Sequence, residues 1–260
     1  MALKALSTRQ CFLSSAPYPK FRAISAEETI GYSWYHSLQV RSEKRFSHGY
    51  TFQLAYTWSK LMEAVEFLNA TDPLPYESIS SFDRTHRLAM SGIWELPVGR
   101  GKRFGADLPP AVDFIIGNWQ LSGVVTRQSG APLGFGNRIF NGDIKNLALP
   151  NDQRTAERWF NVDAGFNRTS AQQLDRNIRT FPLFFSGVRS DIQSRWDLSL
   201  TKSFPIGEKV KAQFRAEVFN ALNQTNFAGP NTDPTSTAFG TITGTAGEAR
   251  NWQFALKLTF

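Results

Sequence analysis

The stretch NWQFALKLTF, residues 251–260, decides the reading of the fold. Trp252, Phe254, Leu256, Leu258 and Phe260 fall on one parity, and Asn251, Gln253, Ala255, Lys257 and Thr259 fall on the other. Successive side chains of a β-strand point to opposite faces, so this segment has one apolar face and one largely polar face. A soluble sandwich can end on one such strand. Repetition of the pattern along the chain separates the alternatives.

The pattern repeats. Between residues 50 and 59, Tyr50, Phe52, Leu54, Tyr56 and Trp58 oppose Thr51, Gln53, Ala55, Thr57 and Ser59. Between 195 and 204, Trp196, Leu198, Leu200 and Phe204 oppose Arg195, Asp197, Ser199, Thr201 and Ser203, with Lys202 the misfit on the apolar parity. Trp119, Leu121, Gly123 and Val125 form another apolar face. So do Leu88, Met90, Gly92, Trp94 and Leu96, and likewise Val210, Ala212, Phe214, Ala216 and Val218. Residues 36–46 carry the pattern more weakly, through Leu38, Val40 and Phe46. Segments of about ten residues with alternating polarity have the length and pattern of bilayer-crossing strands. Seven strands are therefore expected, with an eighth over residues 21–30.

Composition agrees. Aromatic residues make up 13% of the 260 residues, with 22 Phe and seven Trp, and such side chains populate strands. Mean hydropathy is −0.32, and no run approaches the eighteen or so apolar residues of a membrane helix. A barrel strand needs only half its residues apolar, so this says nothing against a barrel. The first residues, MALKALSTRQCFLSSAPYP, make a poor export signal because Arg9 and Gln10 interrupt the apolar stretch. The lone Cys11 excludes an internal disulfide framework. Net charge is +7, but the basic residues are scattered through turns, polar faces and loops, so no nucleic-acid partner is expected.

Connectivity gives an orientation. Ser47-His48-Gly49 and Pro205-Ile206-Gly207-Glu208 read as tight turns, whereas residues 60–85, 129–193 and 223–250 read as long loops. In outer-membrane barrels short turns are periplasmic and long loops are outside. The glycine- and proline-rich connection 97–117 then falls on the periplasmic side. In this frame Trp58 and Trp196, with Trp252, lie near the outer strand ends, while Phe46, Tyr50, Trp119 and Phe204 lie near the periplasmic ends. Two interfacial aromatic girdles follow, because amphipathic rings favour the headgroup level. Trp252, Phe254, Leu256, Leu258 and the closing Phe260 have the form of an assembly signal read by the barrel-assembly machinery.

YHSLQVRSEKRFSHGYTFQLAYTWSK (residues 35–60), SFDRTHRLAMSGIWELPVGRGKRF (81–104), NWQLSGVVTRQSGAPL (118–133) and RAEVFNALNQTNF (215–227), followed by the closing strand, occur in an order that resembles the carboxyl-terminal barrel of Oar-like TonB-dependent transporters of the acidobacterial type. The resemblance covers residues 17–260 and leaves 1–16 as an unassigned tail, as if from a truncated or misassigned start. It implies an outer-membrane receptor that takes up a bulky substrate, driven by the TonB system through a plug inside a barrel of about 22 strands. The chain departs from that pattern: no plug and no TonB-contacting box is legible. The expected fold is thus all-β, an antiparallel transmembrane β-barrel segment of seven or eight strands from a larger barrel. Outer-membrane lipid and the remaining strands are its expected partners, and alone it is expected to be inactive.

A self-contained eight-stranded barrel with a structural or adhesive role is the main structural alternative, and a secreted all-β binding domain is another. Small polar-face residues such as Thr57, Ser59, Ser91 and Ser199 suit a wide wet lumen better than a packed small barrel. No enzyme activity, cofactor or metal is expected. His36, His48 and His86 have no ligand spacing with one another or with Cys11. Gly99-Arg100-Gly101-Lys102-Arg103-Phe104-Gly105 lacks the Lys-Ser/Thr ending and following helix of a phosphate cradle, so a turn is expected. The cluster Asp83-Arg84-Thr85-His86-Arg87 is expected to be a solvated strand opening rather than a loop-base network.

Overall fold

Alternating polarity builds strands with one apolar face, and the chain pairs those strands so that the apolar faces merge. The computed structural model describes residues 3–11, 24–174, 177–206 and 210–260. The elements are β1 (Leu3–Cys11), β2 (Ile24–Ser47), β3 (Tyr50–Ala64), β4 (Ser78–Ile79), β5 (His86–Glu95), helix α1 (Pro110–Ile116), β6 (Trp119–Gln128), β7 (Pro132–Leu133), β8 (Phe185–Arg189), β9 (Gln193–Ile206), β10 (Val210–Phe219) and β11 (Asn251–Thr259). One antiparallel sheet runs β1-β2-β3-β5-β6-β9-β10-β11, with β4 paired to β3 off this path. β1 and β11 end the path, so among the described residues the sheet is open.

Register carries the apolar parity from strand to strand. Leu54 pairs with Met90, Met90 with Val125 and Val125 with Trp196. Leu198 then pairs with Val218, and Val218 with Trp252. A slip of one residue at any ladder would turn one strand's apolar set to the opposite face. All seven strands read from the alternation are present. The separate strand expected over 21–30 is not: from Ile24 onward it is the beginning of β2, which runs 24 residues, while residues 21–23 lie outside the described residues. Tyr32 and Trp34 occupy one parity of this stretch and Tyr35 the other, so no single apolar face was legible there. The eighth long strand is instead β1, in the stretch to which the sequence assigned no element.

At one end of the sheet the connections are short. His48 and Gly49 both take positive φ, 54° and 82°, and close the β2–β3 hairpin in two residues. Residues 207–209 of the β9–β10 turn lie outside the described residues. Residues 99–105 form a turn closed by a bridge between Val98 and Phe104, but α1 follows it, which the sequence reading missed. Its sequence, PAVDFII, is apolar all round except for Asp113, so it carries no helical periodicity.

At the other end the long connections 129–192 and 220–250 fold together into a cap with its own core. Leu133, Phe135, Leu147, Trp159, Phe160, Phe166, Phe181, Phe185, Val188 and Phe239 are buried in it, with Phe140 packed against them. Phe135 is the hub, its ring 4.7 Å from Phe166, 5.0 Å from Phe160 and 5.3 Å from Phe185. A good part of the phenylalanine content therefore serves the cap and not the strands. The two connections are stitched by Trp159 N–H to the Gly240 carbonyl (2.9 Å) and Ile242 N–H to the Ala156 carbonyl (2.6 Å).

Candidate functional site

The wall presents two surfaces. Its apolar face gathers most of the expected girdle residues: Tyr50, Trp119 and Phe204 stand at the short-turn end, and Trp58 and Trp196 toward the long-loop end. Phe46 drops out of this parity, because the β2–β3 register shifts between Lys44 and Ser47 and sets Ser47, not Phe46, opposite Tyr50. Trp252, Phe254, Leu256 and Leu258 continue this face along β11, and all are exposed; Phe260 follows the strand, 94% exposed. An unusual member of the face is Lys202, only 3% exposed. Its ammonium donates to the Gly117 carbonyl and lies 5.1 and 5.0 Å from the Trp119 and Phe204 rings. The ammonium on this apolar face is thus partnered by a carbonyl dipole and two π-faces.

The opposite face is polar. Arg195 donates to Asp197 at 2.7 Å, Arg41 to Glu43 at 3.0 Å, and Arg215 lies 3.5 Å from Glu217. Each pair joins neighbours two apart on one strand, so these charges satisfy each other along the surface. Near the long loops a cavity of about 300 Å³ is lined by Arg87, Thr126, Gln128, Gln193, Arg195 and Asn220, among others. It offers hydrogen bonds and positive charge to a polar solute. The Nδ1 of His86 lies 2.8 Å from the Tyr56 hydroxyl.

Where the cap meets the wall, the Asp83 cluster departs from the expected solvation. Asp83 is 1% exposed and accepts from the Leu61 N–H and the Arg189 guanidinium, each at 2.7 Å. Arg189 also donates to the Gly130 carbonyl at 3.1 Å, so one ion pair ties β3, the β3–β5 connection and β8 together. Burial, followed by the neighbouring Arg189 charge, holds Arg84 below the ordinary guanidinium range, opposed by Asp83. Arg179 is a second lock. It donates to the carbonyls of Phe181, Pro182 and Leu183 and lies over the Phe181 ring. Its backbone N–H meets Asn69 Oδ1 at 2.7 Å. Burial pushes its guanidinium down to about 10, against the pull of Glu66 and Tyr76, so it remains charged at neutral pH.

The asparagines of FNALNQTNF do work that sequence reading missed. Asn220 ends β10 at φ 51°, its N–H donates to Asp197, and its side chain reaches the Gln224 and Glu248 carbonyls. Asn226 exchanges two hydrogen bonds with the backbone of Ser194, at 2.8 and 2.9 Å. Asparagine's tolerance of positive φ and its paired donor and acceptor explain the choice. A run of Asn after a barrel-length strand was the available signal.

A family model described as an outer membrane beta barrel domain matches residues 3–253. No curated protein matches the chain. Among solved structures, the outer membrane transporter YddB from Escherichia coli aligns with a TM-score of 0.44 at 12% identity, over 98% of this chain and 28% of that one. The chain thus spans little more than a quarter of that transporter's length.

Proposed function

We propose, from the premise that this chain belongs to the outer membrane beta barrel domain family, that it is the carboxyl-terminal wall of an Oar-like TonB-dependent transporter taking up a bulky substrate. The family places it in the outer membrane; in this reading the apolar face is toward lipid, the polar face toward a lumen, the short turns in the periplasm and the cap outside. One observation carries the fragment reading. Eight long strands form a sheet whose ends, β1 and β11, do not meet. Open edges leave backbone donors and acceptors unpaired in hydrocarbon, where each costs several kcal/mol, roughly. Further strands satisfying those edges, and a plug within the lumen they enclose, are what this reading supplies. The small polar side chains of the lumen face, and charges paired along strands, also suit a wide barrel.

Refolding tests the reading. The purified chain is expected to aggregate without detergent and to fold incompletely with it, while giving a β-rich spectrum. A heat-modifiable, protease-resistant monomer in lipid would replace this reading with a self-contained eight-stranded barrel. Solubility at high concentration without detergent would favour a secreted binding domain.

A further inference from the structure

The connection between β5 and β6 carries a helix with nothing to bury itself in. No residue of α1 is buried, and Val112, Phe114, Ile115 and Ile116 are all exposed. Its one charged side chain, Asp113, turns back to accept from the Arg100 N–H at 2.6 Å. Seven residues are too few for a helix that is stable alone in water. Gly117 ends it: its N–H donates to the Asp113 carbonyl, and an added Cβ there would lie 2.8 Å from that oxygen.

Three contacts fix α1 to one side of the wall. The Phe114 ring lies 5.1 Å from that of Phe204, Trp119 Nε1 donates to the Ile115 carbonyl at 3.1 Å, and Lys202 donates to the Gly117 carbonyl. Phe204, Trp119 and Lys202 all belong to the apolar parity, with Trp119 paired to Lys202 in the register. The helix is therefore on the lipid side, at the short-turn end, and continues the surface that lipid covers.

We propose that α1 is an interfacial helix seated in the periplasmic leaflet of the outer membrane, with Val112, Phe114, Ile115 and Ile116 among the lipid chains just below the headgroups. Lipid is the occupant because the helix is continuous with the lipid-facing girdle of Trp119 and Phe204. Contiguous exposed apolar side chains at that level suit burial among lipid chains beside the interface. The same seat explains Lys202. The carbonyl end of α1 gives the ammonium a partner at the level where a lysine stem snorkels toward headgroups. The inference needs the wall to be in the membrane but not to belong to a larger barrel.

Nitroxide labels test it in outer membranes containing the assembled protein. Single labels are placed at Ile115→Cys, Arg103→Cys and Leu256→Cys in a Cys11→Ser background. Collision with oxygen reports lipid, and collision with a water-soluble nickel chelate reports water. Ile115→Cys is expected to match the wall position Leu256→Cys in oxygen collision, with chelate collision roughly tenfold below that of Arg103→Cys. Ile116→Cys must give the same pattern and stands in if the first variant fails to assemble. Chelate collision equal to Arg103→Cys would put the helix in water and overturn the proposal. Low collision with both reagents would mean protein covers it, and would also overturn it. If Leu256→Cys itself proved water-exposed, the membrane placement of the wall would fail and take the proposal with it.

Discussion

The Arg189 guanidinium donates to Asp83 Oδ2 at 2.7 Å across 106 residues of sequence, with the Asp83 side chain 1% exposed. Oδ1 of the same carboxylate takes the Leu61 N–H, so the rim of the wall and the base of the cap share one buried anion. A charge so placed is tolerated only while all its partners are present.

Breaking the pair from one side should therefore loosen the cap and spare the wall. Arg189→Met leaves Asp83 buried without its cation, at a cost of about 3–5 kcal/mol. Protease nicking within 129–192 should rise sharply, while the transmembrane strands stay protected. Asp83→Asn keeps the shape and should have a smaller effect. Unchanged nicking in Arg189→Met would show that the pair does not hold the cap.

The register makes the face assignment testable at neighbouring residues. Leu198 pairs with Val218 on the apolar face, whereas Ser199 pairs with Glu217 on the polar face. An Arg facing lipid near mid-membrane costs roughly 2–4 kcal/mol, and a lumen position tolerates charge. Leu198→Arg should lower the assembled yield in liposomes far more than Ser199→Arg. The same contrast is expected for Leu54→Arg against Gln53→Arg. Equal tolerance, or the reverse order, would mean the faces are assigned the wrong way round.

The wall was legible in sequence because a strand with two different environments writes its burial into every second residue. Residues 50–59 show their partner face without any knowledge of the fold. The cap leaves no such record. Phe135, Phe160 and Phe239 come together from distant, irregular segments, where side-chain direction follows no period. The Asp83 cluster was misread for a related reason: five polar residues in a row look solvated until Arg189, far along the chain, closes over one of them. α1 escaped because a helix apolar on nearly every side has no amphipathic signal.

Acid should loosen one part of the cap before the rest. Asp233 accepts from the Thr235 backbone N–H at 3.0 Å and hydroxyl at 2.8 Å, and lies 3.2 Å from Arg138. The Thr235 bonds, and then Arg138, hold its carboxyl below the usual carboxylate range. A depressed carboxylate pKa adds stability above the ordinary value and loses it as pH falls through the folded one. The contribution is small, because the side chain is partly exposed. Protection of the amides over residues 231–241, taken relative to their intrinsic exchange rates at each pH, should fall below about pH 4. Asp233→Asn should show less of that dependence, and a wild-type profile flat in this range would remove Asp233 from the account.

Phe260 gives the last prediction, and it concerns assembly rather than folded stability. It is 94% exposed and follows a strand whose Trp252, Phe254, Leu256 and Leu258 are all exposed as well. β11 pairs with β10 along its whole length, from Lys211↔Thr259 to Phe219↔Asn251, leaving its other edge open. Phe260 lies beyond that ladder, so removing it breaks no strand pair. A folded-state account thus predicts little change on deletion. Recognition of the amphipathic strand and its terminal aromatic predicts a large one. Deleting Phe260 should sharply lower the assembled protein in outer-membrane fractions, and Phe260→Tyr should restore most of it. Normal levels after deletion would mean that Phe260 is not part of the assembly signal.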